Sequence, residues 1–185
     1  MNWEQLQQVR LAVIARLVSQ VPPNLMGRTM LMKLCYFLQE VKNVPLGYNF
    51  TIYSYGPFDS DVLSDLGTAV NLEGVRSTVA YNSVGYGYRL ETGPNLAQLL
   101  SEGDDFLRQH QDSLKWVIEE FSQKSASDLE LESTIVFVDH EAAARKETLT
   151  IGDLAAKVNR LKPHFKTGVI AERALRLTEK QLLST

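Results

Sequence analysis

The sequence predicts an α+β fold that is mostly helical, with a winged-helix-like N-terminal part followed by a C-terminal helical part. Apolar residues recur at helical spacing over 3–20 and 27–42, and the aromatic and β-branched run over 48–55 is typical of a strand. Another helical pattern and a hairpin follow, which completes the order of elements in a winged helix. The composition, 44% hydrophobic and 22% charged residues among 185, is that of an ordinary globular protein.

The first two elements are predicted to be helices because their apolar side chains repeat every three or four residues and so share one face. The first helix is expected to end at Val21-Pro22-Pro23-Asn24, since proline disfavours a helical residue before it and has no N–H to donate. The second is expected to end at Lys42-Asn43, shortly before Pro45 and Gly47.

The predicted strand over 48–55 is followed by a turn at Gly56-Pro57-Phe58 and a helix over 59–72. Asp59 is a favourable N-cap, and Asp61 in the first turn suits the positive end of the helix dipole. A winged helix reads DNA through the helix at this position, but this one contains no Lys or Arg. Its carboxylates would repel phosphates, so the usual DNA-binding use of the fold is disfavoured.

Two strands over 75–81 and 86–91 form the predicted hairpin, joined by Asn82-Ser83-Val84-Gly85. Asn and Gly tolerate the positive φ that a tight hairpin turn requires. This hairpin would be the wing.

Helical patterns fill the chain from Gly93 onward. The predicted helices span 95–123, 128–144, 150–161 and the residues from 167 onward. A break near Gly103 is an alternative for the first of them, Ser127 and Asp128 are the expected caps of the second, and Thr150 caps the third. A boundary at 125–128 divides the chain into parts 1–124 and 125–185. The second part is expected to pack on the first, with a single domain as the alternative.

Cys35 is the single cysteine, so the chain forms no internal disulfide and no cysteine-based metal cluster. It lies in the middle of a helix with no cation on its face, so we expect a packed thiol rather than a nucleophile. The first twenty residues lack the apolar segment and cleavage site of a signal peptide, and no run is long enough to span a membrane. Together these features indicate a reducing cytoplasm.

No catalytic or metal-binding motif is found in the sequence. His140 lies between Asp139 and Glu141, but adjacent residues on a helix diverge by about 100° and rarely ligate one ion. The motifs HExxH, CxxC, GxGxxG, GxxxxGK[ST] and GxSxG are absent from the sequence. We therefore expect no cofactor and no enzymatic activity, and an enzyme with an unrecognised site remains an alternative.

All seven tyrosines lie within residues 36–88. Two interpretations stay open: tyrosine favours the half-buried surface of strands, or the rings form an exposed face for a partner. Stacking on single-stranded nucleic acid is less favoured, because Arg76 is the only basic residue between Tyr48 and Tyr88.

The net charge of −3 conceals two oppositely charged blocks. Residues 128–141 contain five acids and no Lys or Arg, whereas 157–176 contains six basic residues and a single acid, Glu172. The basic residues are Lys157, Arg160, Lys162, Lys166, Arg173 and Arg176. One interpretation is a helical pair whose charges complement each other. The other is a docking patch for an acidic protein segment or a phosphate backbone, which would make the protein a nucleic-acid-binding regulator.

Two motifs carry a resemblance to a known family. The segment Lys33-Leu34-Cys35-Tyr36-Phe37-Leu38 is followed by Tyr48-x-Phe50-x-x-Tyr53-x-Tyr55-Gly56-Pro57-Phe58-Asp59. This pattern resembles the YwgA-like family of uncharacterised bacterial proteins, which is distantly similar to Panacea/SocA-like antitoxin domains. Stretches 128–135 and 161–165 resemble the C-terminal part of the family, so the resemblance covers about residues 26–178. Phe58-Asp59 stands where relatives often have an aromatic residue and Ser, and both Asp and Ser cap helices.

The resemblance implies a cytoplasmic, non-enzymatic module that binds another protein. Panacea-like relatives are antitoxins that bind a toxin, and a SocA-like relative is a proteolytic adaptor, so a toxin or a protease substrate is the implied partner; a homodimer is a further alternative. The expected partner-binding residues are Lys33, Tyr36, Tyr53, Tyr55, Gly56, Pro57, Phe58 and Asp59. The competing interpretation is that Lys33 and the Tyr55-Gly56-Pro57 turn only define the fold.

Overall fold

The computed structural model describes residues 2–82 and 85–184. Over this part of the chain, nine helices and four strands form a mostly helical structure with two small antiparallel sheets of two strands each, as the sequence predicts at this coarse level. The helices are α1 (Trp3–Gln20), α2 (Arg28–Glu40), α3 (Ser60–Asn71), α4 (Leu96–Glu102), α5 (Asp104–Gln109), α6 (Gln111–Phe121), α7 (Ala126–Ala144), α8 (Ile151–Leu161) and α9 (Thr167–Glu179). The strands are β1 (Thr51–Tyr53), β2 (Gly56–Phe58), β3 (Val75–Asn82) and β4 (Gly85–Thr92).

The described residues group into two compact units. The first unit contains residues 2–50 and 58–124, and the second contains 51–57 and 125–184. The chain therefore changes unit at residue 124, beside the predicted boundary at 125–128. The sequence did not indicate that the short segment 51–57 belongs with the C-terminal helices.

The first unit is built around α1, whose apolar face is buried and contacts α3 and α4. The predicted bounds of α1 are confirmed, and the helix ends at Gln20, with its C-cap Val21 directly before Pro22. The helix expected over 95–123 is divided into α4, α5 and α6, with breaks at Gly103 and His110. A Cβ atom at Gly103 would lie 2.4 Å from the Cβ of Ala12, so the close approach of this turn to α1 requires glycine.

The strand expected over 48–55 is wrong at both ends, since only Thr51–Tyr53 forms β1 and residues 54–55 form a turn. The backbone of Tyr48 bonds a side chain instead: its N–H donates to Oε1 of Gln39 at 2.8 Å, and its carbonyl accepts from Nε2 of Gln39 at 2.9 Å. These bonds satisfy the groups that a neighbouring strand would otherwise have paired. The expected turn at 56–58 forms β2, which pairs with β1 and not with the β3–β4 hairpin.

The predicted helix after this segment is confirmed as α3, and Asp59 is its N-cap. Oδ1 of Asp59 accepts a hydrogen bond from the N–H of Asp61 at 2.8 Å, which satisfies one of the free donors at the start of the helix. The predicted hairpin is confirmed as β3 and β4, paired from Val75 with Thr92 to Asn82 with Gly85. The two central residues of the predicted turn, 83 and 84, lie outside the described residues.

The second unit packs α7, α8 and α9 against one another. The cap expected at Ser127 or Asp128 is wrong, because α7 begins earlier and its N-cap is Ser125, whose hydroxyl accepts from the N–H of Asp128 at 3.1 Å. The cap of α8 at Thr150 is confirmed, and Oδ2 of Asp153 accepts a hydrogen bond from the backbone N–H of Thr150 at 3.2 Å. The strand-favouring residues 134–138 are helical, since three helices here bury one another's apolar faces.

Candidate functional site

The segment 51–57 presents two large aromatic side chains to solvent. Tyr53, the last residue of β1, is 65% exposed, and Tyr55, in the turn between β1 and β2, is 69% exposed. Tyrosine combines a large apolar ring with a polar tip, and it is enriched where proteins bind one another. These two rings are therefore the part of the predicted partner-binding set that a partner could reach.

Lys162 holds the backbone of this segment in place from within the second unit. Lys162 is only 3% exposed, and its Nζ donates to the carbonyl of Tyr53 at 3.0 Å and to the carbonyl of Ser54. The same Nζ lies 2.9 Å from Oε1 of Glu130, which is also buried. A buried ammonium with a carboxylate and two carbonyls around it fixes the turn that carries both tyrosines.

Gly56 fits the turn against α7 where no other residue would. Its φ is +86°, and a Cβ built there would lie 3.0 Å from Oγ of Ser133, 3.1 Å from Oγ1 of Thr134 and 3.3 Å from the carbonyl of Glu130. Both hydroxyls donate to that carbonyl, so they are not free to turn away. The glycine is required by backbone conformation and by space together.

Gly56→Ala is therefore expected to lower the free energy of unfolding by about 1–3 kcal/mol, from strain at positive φ and contact with α7. Urea titrations followed by far-UV circular dichroism measure this. Gly168→Ala is the matched control, because Gly168 lies in α9 with nothing within 4 Å of its Cβ position. Alanine in a helix should be neutral there or stabilising by up to about 1 kcal/mol. Equal effects of the two substitutions would contradict this role of Gly56.

The other predicted partner-binding residues lie in less accessible places. Lys33 and Tyr36 are part of the buried face of α2, at 2% and 1% exposure, so no partner reaches them in this conformation. Pro57 is buried and Phe58 is half-buried. Asp59 caps α3 and also accepts a hydrogen bond from the backbone N–H of Asn49 at 2.5 Å. Their positions favour the interpretation that this part of the motif defines the fold.

A second aromatic surface lies on the β3–β4 hairpin of the first unit. Tyr81 and Tyr86 are register partners, 85% and 69% exposed, and Val79 is opposite Tyr88 on the same face. Arg28 lies over the ring of Tyr88, with its guanidinium carbon 3.3 Å from the ring centroid. Four tyrosines lie in strands, as the first interpretation predicts, namely Tyr53, Tyr81, Tyr86 and Tyr88, and the first three of these are exposed. Tyr36 lies in α2 and is packed in the core, which neither interpretation predicted.

The basic block is largely paired with carboxylates of the second unit. Arg173 contacts Asp128 at 2.8 Å and Glu132 at 2.5 Å, and the hydroxyl of Ser125, followed by Arg173, holds the pKa of Asp128 below its usual range. Further pairs are Lys157 with Glu147, Lys162 with Glu130, and Arg176 with Glu172. The contacts of Arg173 and Lys162 join the acidic block on α7 to the basic block, so they favour the interpretation of charge complementarity between helices.

Sequence reasoning missed a buried polar cluster in the first unit. Arg10 is 2% exposed; its Nε donates to the carbonyl of Leu46 at 2.7 Å, its Nη2 to the carbonyl of Gly47 at 2.6 Å, and its Nη1 lies 3.6 Å from Oδ2 of Asp65. The hydroxyl of Tyr48 donates to the same Oδ2 at 3.0 Å. A signal was present, because Arg10 and Asp65 both lie within the apolar stripes of their helices.

Burial controls protonation in this cluster. Burial, and next the charge of Asp65, raises the pKa of the Cys35 thiol to about 12, so the thiol stays protonated at neutral pH. Burial also raises the pKa of Tyr48 and that of Asp65. The expectation of a packed, unreactive Cys35 is confirmed for its burial, at 0% exposure. Asp65, one of the carboxylates of α3, is buried at 5% exposure.

Asp139, His140 and Glu141 do not form a cluster of ligands. Asp139 is completely buried and accepts a hydrogen bond from the backbone N–H of Ser184 at 2.5 Å. Within residues 2–82 and 85–184, no three His, Cys, Asp or Glu side chains are placed to hold a metal ion.

None of the helices in the same ranges combines the length and the apolar character needed to cross a membrane. In comparisons with known proteins, no family model and no curated protein matches the sequence.

Proposed function

We propose that this chain is a non-enzymatic protein-binding module of the cytoplasm, of antitoxin or adaptor type, that contacts its partner through Tyr53 and Tyr55. The observation that carries this proposal is the exposure of both rings on a turn whose backbone is fixed by buried Lys162. The role is the one implied by the resemblance to YwgA-like and Panacea/SocA-like proteins. Its placement in a reducing compartment agrees with the single, buried cysteine.

The physical support is preorganisation. A few aromatic anchors carry most of the affinity of a typical interface, and ordering a loop on binding costs part of it. The hydrogen bonds from Lys162 and the fit of Gly56 against Ser133 order this turn before any partner arrives. Tyr53 and Tyr55 can then be buried by a partner without that cost.

The winged-helix arrangement is a proposal for the first unit. Its support is the order α1, α2, α3 and hairpin, together with contacts of α1 with α2 and α3, and of α3 with β3. The strand that precedes α3 in such folds has no counterpart in the β3–β4 sheet over the described residues.

Photocrosslinking tests the proposed surface. Benzoylphenylalanine at position 55 is expected to crosslink a specific partner in the native host, whereas the same residue at Thr148, exposed in the loop between α7 and α8, is not. The double substitution Tyr53→Ala/Tyr55→Ala should abolish recovery of that partner with the circular dichroism spectrum unchanged. Tyr81→Ala/Tyr86→Ala, the exposed pair of the other unit, is the matched control. If the partner is recovered with Tyr53→Ala/Tyr55→Ala and lost with Tyr81→Ala/Tyr86→Ala, the assignment of the surface is overturned.

A nucleic-acid-binding role draws less support. Lys162, one of the six residues predicted for it, is buried and holds the tyrosine turn, and Arg173 is paired with Asp128 and with buried Glu132. Neutralised cations release few counterions on binding phosphates, so the electrostatic contribution would be small.

A further inference from the structure

A groove of about 350 Å³ lies between α7 and α8 in the second unit. Its apolar lining includes Phe137 and Ala142 from α7 and Leu161 from the end of α8. Leu161 is 47% exposed, whereas Leu154 and Val158 on the same helix are buried. The groove therefore offers an apolar surface that the unit itself leaves uncovered.

Three cations border this apolar surface. Arg145 comes from the C-terminal end of α7, and Lys157 and Arg160 come from α8, while Glu141 is the only acid in the lining. Lys157 and Arg160 are three residues apart, which places them on adjacent turns of one helix face. The rim of the groove is thus positively charged although the whole chain carries −3.

The cations on the rim are available to a ligand. Arg145 pairs with Glu141 at 2.7 Å and Lys157 with Glu147 at 2.7 Å, but all four side chains are between 39% and 65% exposed. Surface pairs of this kind contribute about 0–1 kcal/mol, so a carboxylate of a ligand can replace the existing one at little cost. Over the described part of the second unit, Arg160 has no ion pair with any carboxylate.

We propose that this groove binds an acidic segment of a partner protein that carries an apolar anchor residue. The apolar lining would bury a leucine-like or aromatic side chain, and the three rim cations would pair with Glu or Asp residues on either side of it. A phosphodiester chain offers the charge but no aliphatic side chain for the surface formed by Phe137, Ala142 and Leu161. The site stands on different residues from Tyr53 and Tyr55, so it does not depend on the proposed function.

Fluorescence anisotropy with defined peptides tests the proposal. The probe is a short fluorescein-labelled peptide in which Leu recurs every third or fourth residue among Glu residues, and its twin has Lys in place of Glu. We expect the acidic peptide to bind and the basic twin not to bind. Arg160→Glu should weaken binding about tenfold, equivalent to about 1.4 kcal/mol, and Leu161→Ser should also weaken it. Arg176→Glu, at an exposed cation outside the groove, should leave binding within about twofold of wild type.

The outcomes separate the alternatives. Equal binding of both peptides, or no effect of Arg160→Glu, would overturn the proposal. Tighter binding of a labelled DNA duplex, lost in Arg160→Glu and steeply dependent on salt, would assign the groove to nucleic acid instead. Tyr55→Ala should leave peptide binding unchanged, so a failure at the tyrosine turn and a failure at the groove can be told apart.

Discussion

Lys162→Met is expected to lower the free energy of unfolding of the second unit by about 3–5 kcal/mol, because it leaves the buried carboxylate of Glu130 without its cation. Methionine keeps most of the side-chain volume, so the loss reports on charge and hydrogen bonding rather than on a cavity. The carbonyls of Tyr53 and Ser54 lose their donor in the same variant. Backbone amides of residues 51–56 should then exchange with solvent much faster than in the wild type.

Far-UV circular dichroism in urea and hydrogen exchange measure these two effects. Lys157→Met is the matched control, since Lys157 also pairs with a glutamate but is 39% exposed; its loss should cost at most about 1 kcal/mol. Adding Glu130→Gln to Lys162→Met should recover part of the stability, because the unpaired charge is removed. A cost for Lys162→Met no larger than that of Lys157→Met would show that the buried pair does not hold the turn.

Arg10→Met is expected to destabilise the first unit by about 3–5 kcal/mol. The substitution removes the donor to the carbonyls of Leu46 and Gly47 and leaves Asp65 buried with no cation at 3.6 Å. Tryptophan fluorescence in urea can follow this unit, because Trp3 and Trp116 both belong to it. Arg108→Met is the control, since Arg108 is 67% exposed and pairs only with exposed acids.

The Arg10→Met variant should also show a distinctive pH dependence. Burial already raises the pKa of Asp65 in the folded state, and loss of the guanidinium raises it further. Burying an unpaired carboxylate therefore lowers the free energy of unfolding at pH values above the pKa of Asp65 in the folded state. The loss disappears at pH values below the pKa of an aspartate in the unfolded chain, about 4, because Asp65 is then protonated in both states. The difference in free energy of unfolding between the Arg10→Met variant and the wild type should become smaller as the pH falls toward 4. A difference that stays constant would mean that Asp65 is not the group left unpaired.

The helices could be predicted because their formation depends mainly on local pattern. The apolar period and the caps at Asp59 and Thr150 are readable in the sequence, and the structure has both. The strand over 48–55 could not be predicted correctly, since the bonds that replace it come from Gln39, a side chain of the preceding helix. Strand propensity depends on the residues of the segment itself and contains no information about hydrogen bonds from a distant side chain.

The candidate site could be predicted only in part. The motif around Tyr55 includes the turn at residues 54–55, although the turn was expected at 56–58. Residue type alone cannot separate exposed Tyr53 and Tyr55 from buried Tyr36. Charge counting likewise placed Lys162 in a surface patch, although its ammonium is buried against Glu130 and two carbonyls. Burial of a charge depends on partners that are distant in sequence, and these are known only once the chain has folded.

The second unit has a consequence for the order in which the chain folds. The contact between Lys162 and Tyr53 joins residues 109 positions apart, and closing a flexible loop of that length costs about 4 kcal/mol of chain entropy. During synthesis, residues 51–57 leave the ribosome long before α7 and α8 exist, so their docking is a late event. A nascent or truncated chain that ends near residue 124 lacks Lys162, so its segment 51–57 would carry Tyr53 and Tyr55 without these hydrogen bonds. Quality-control proteases could then cleave this segment.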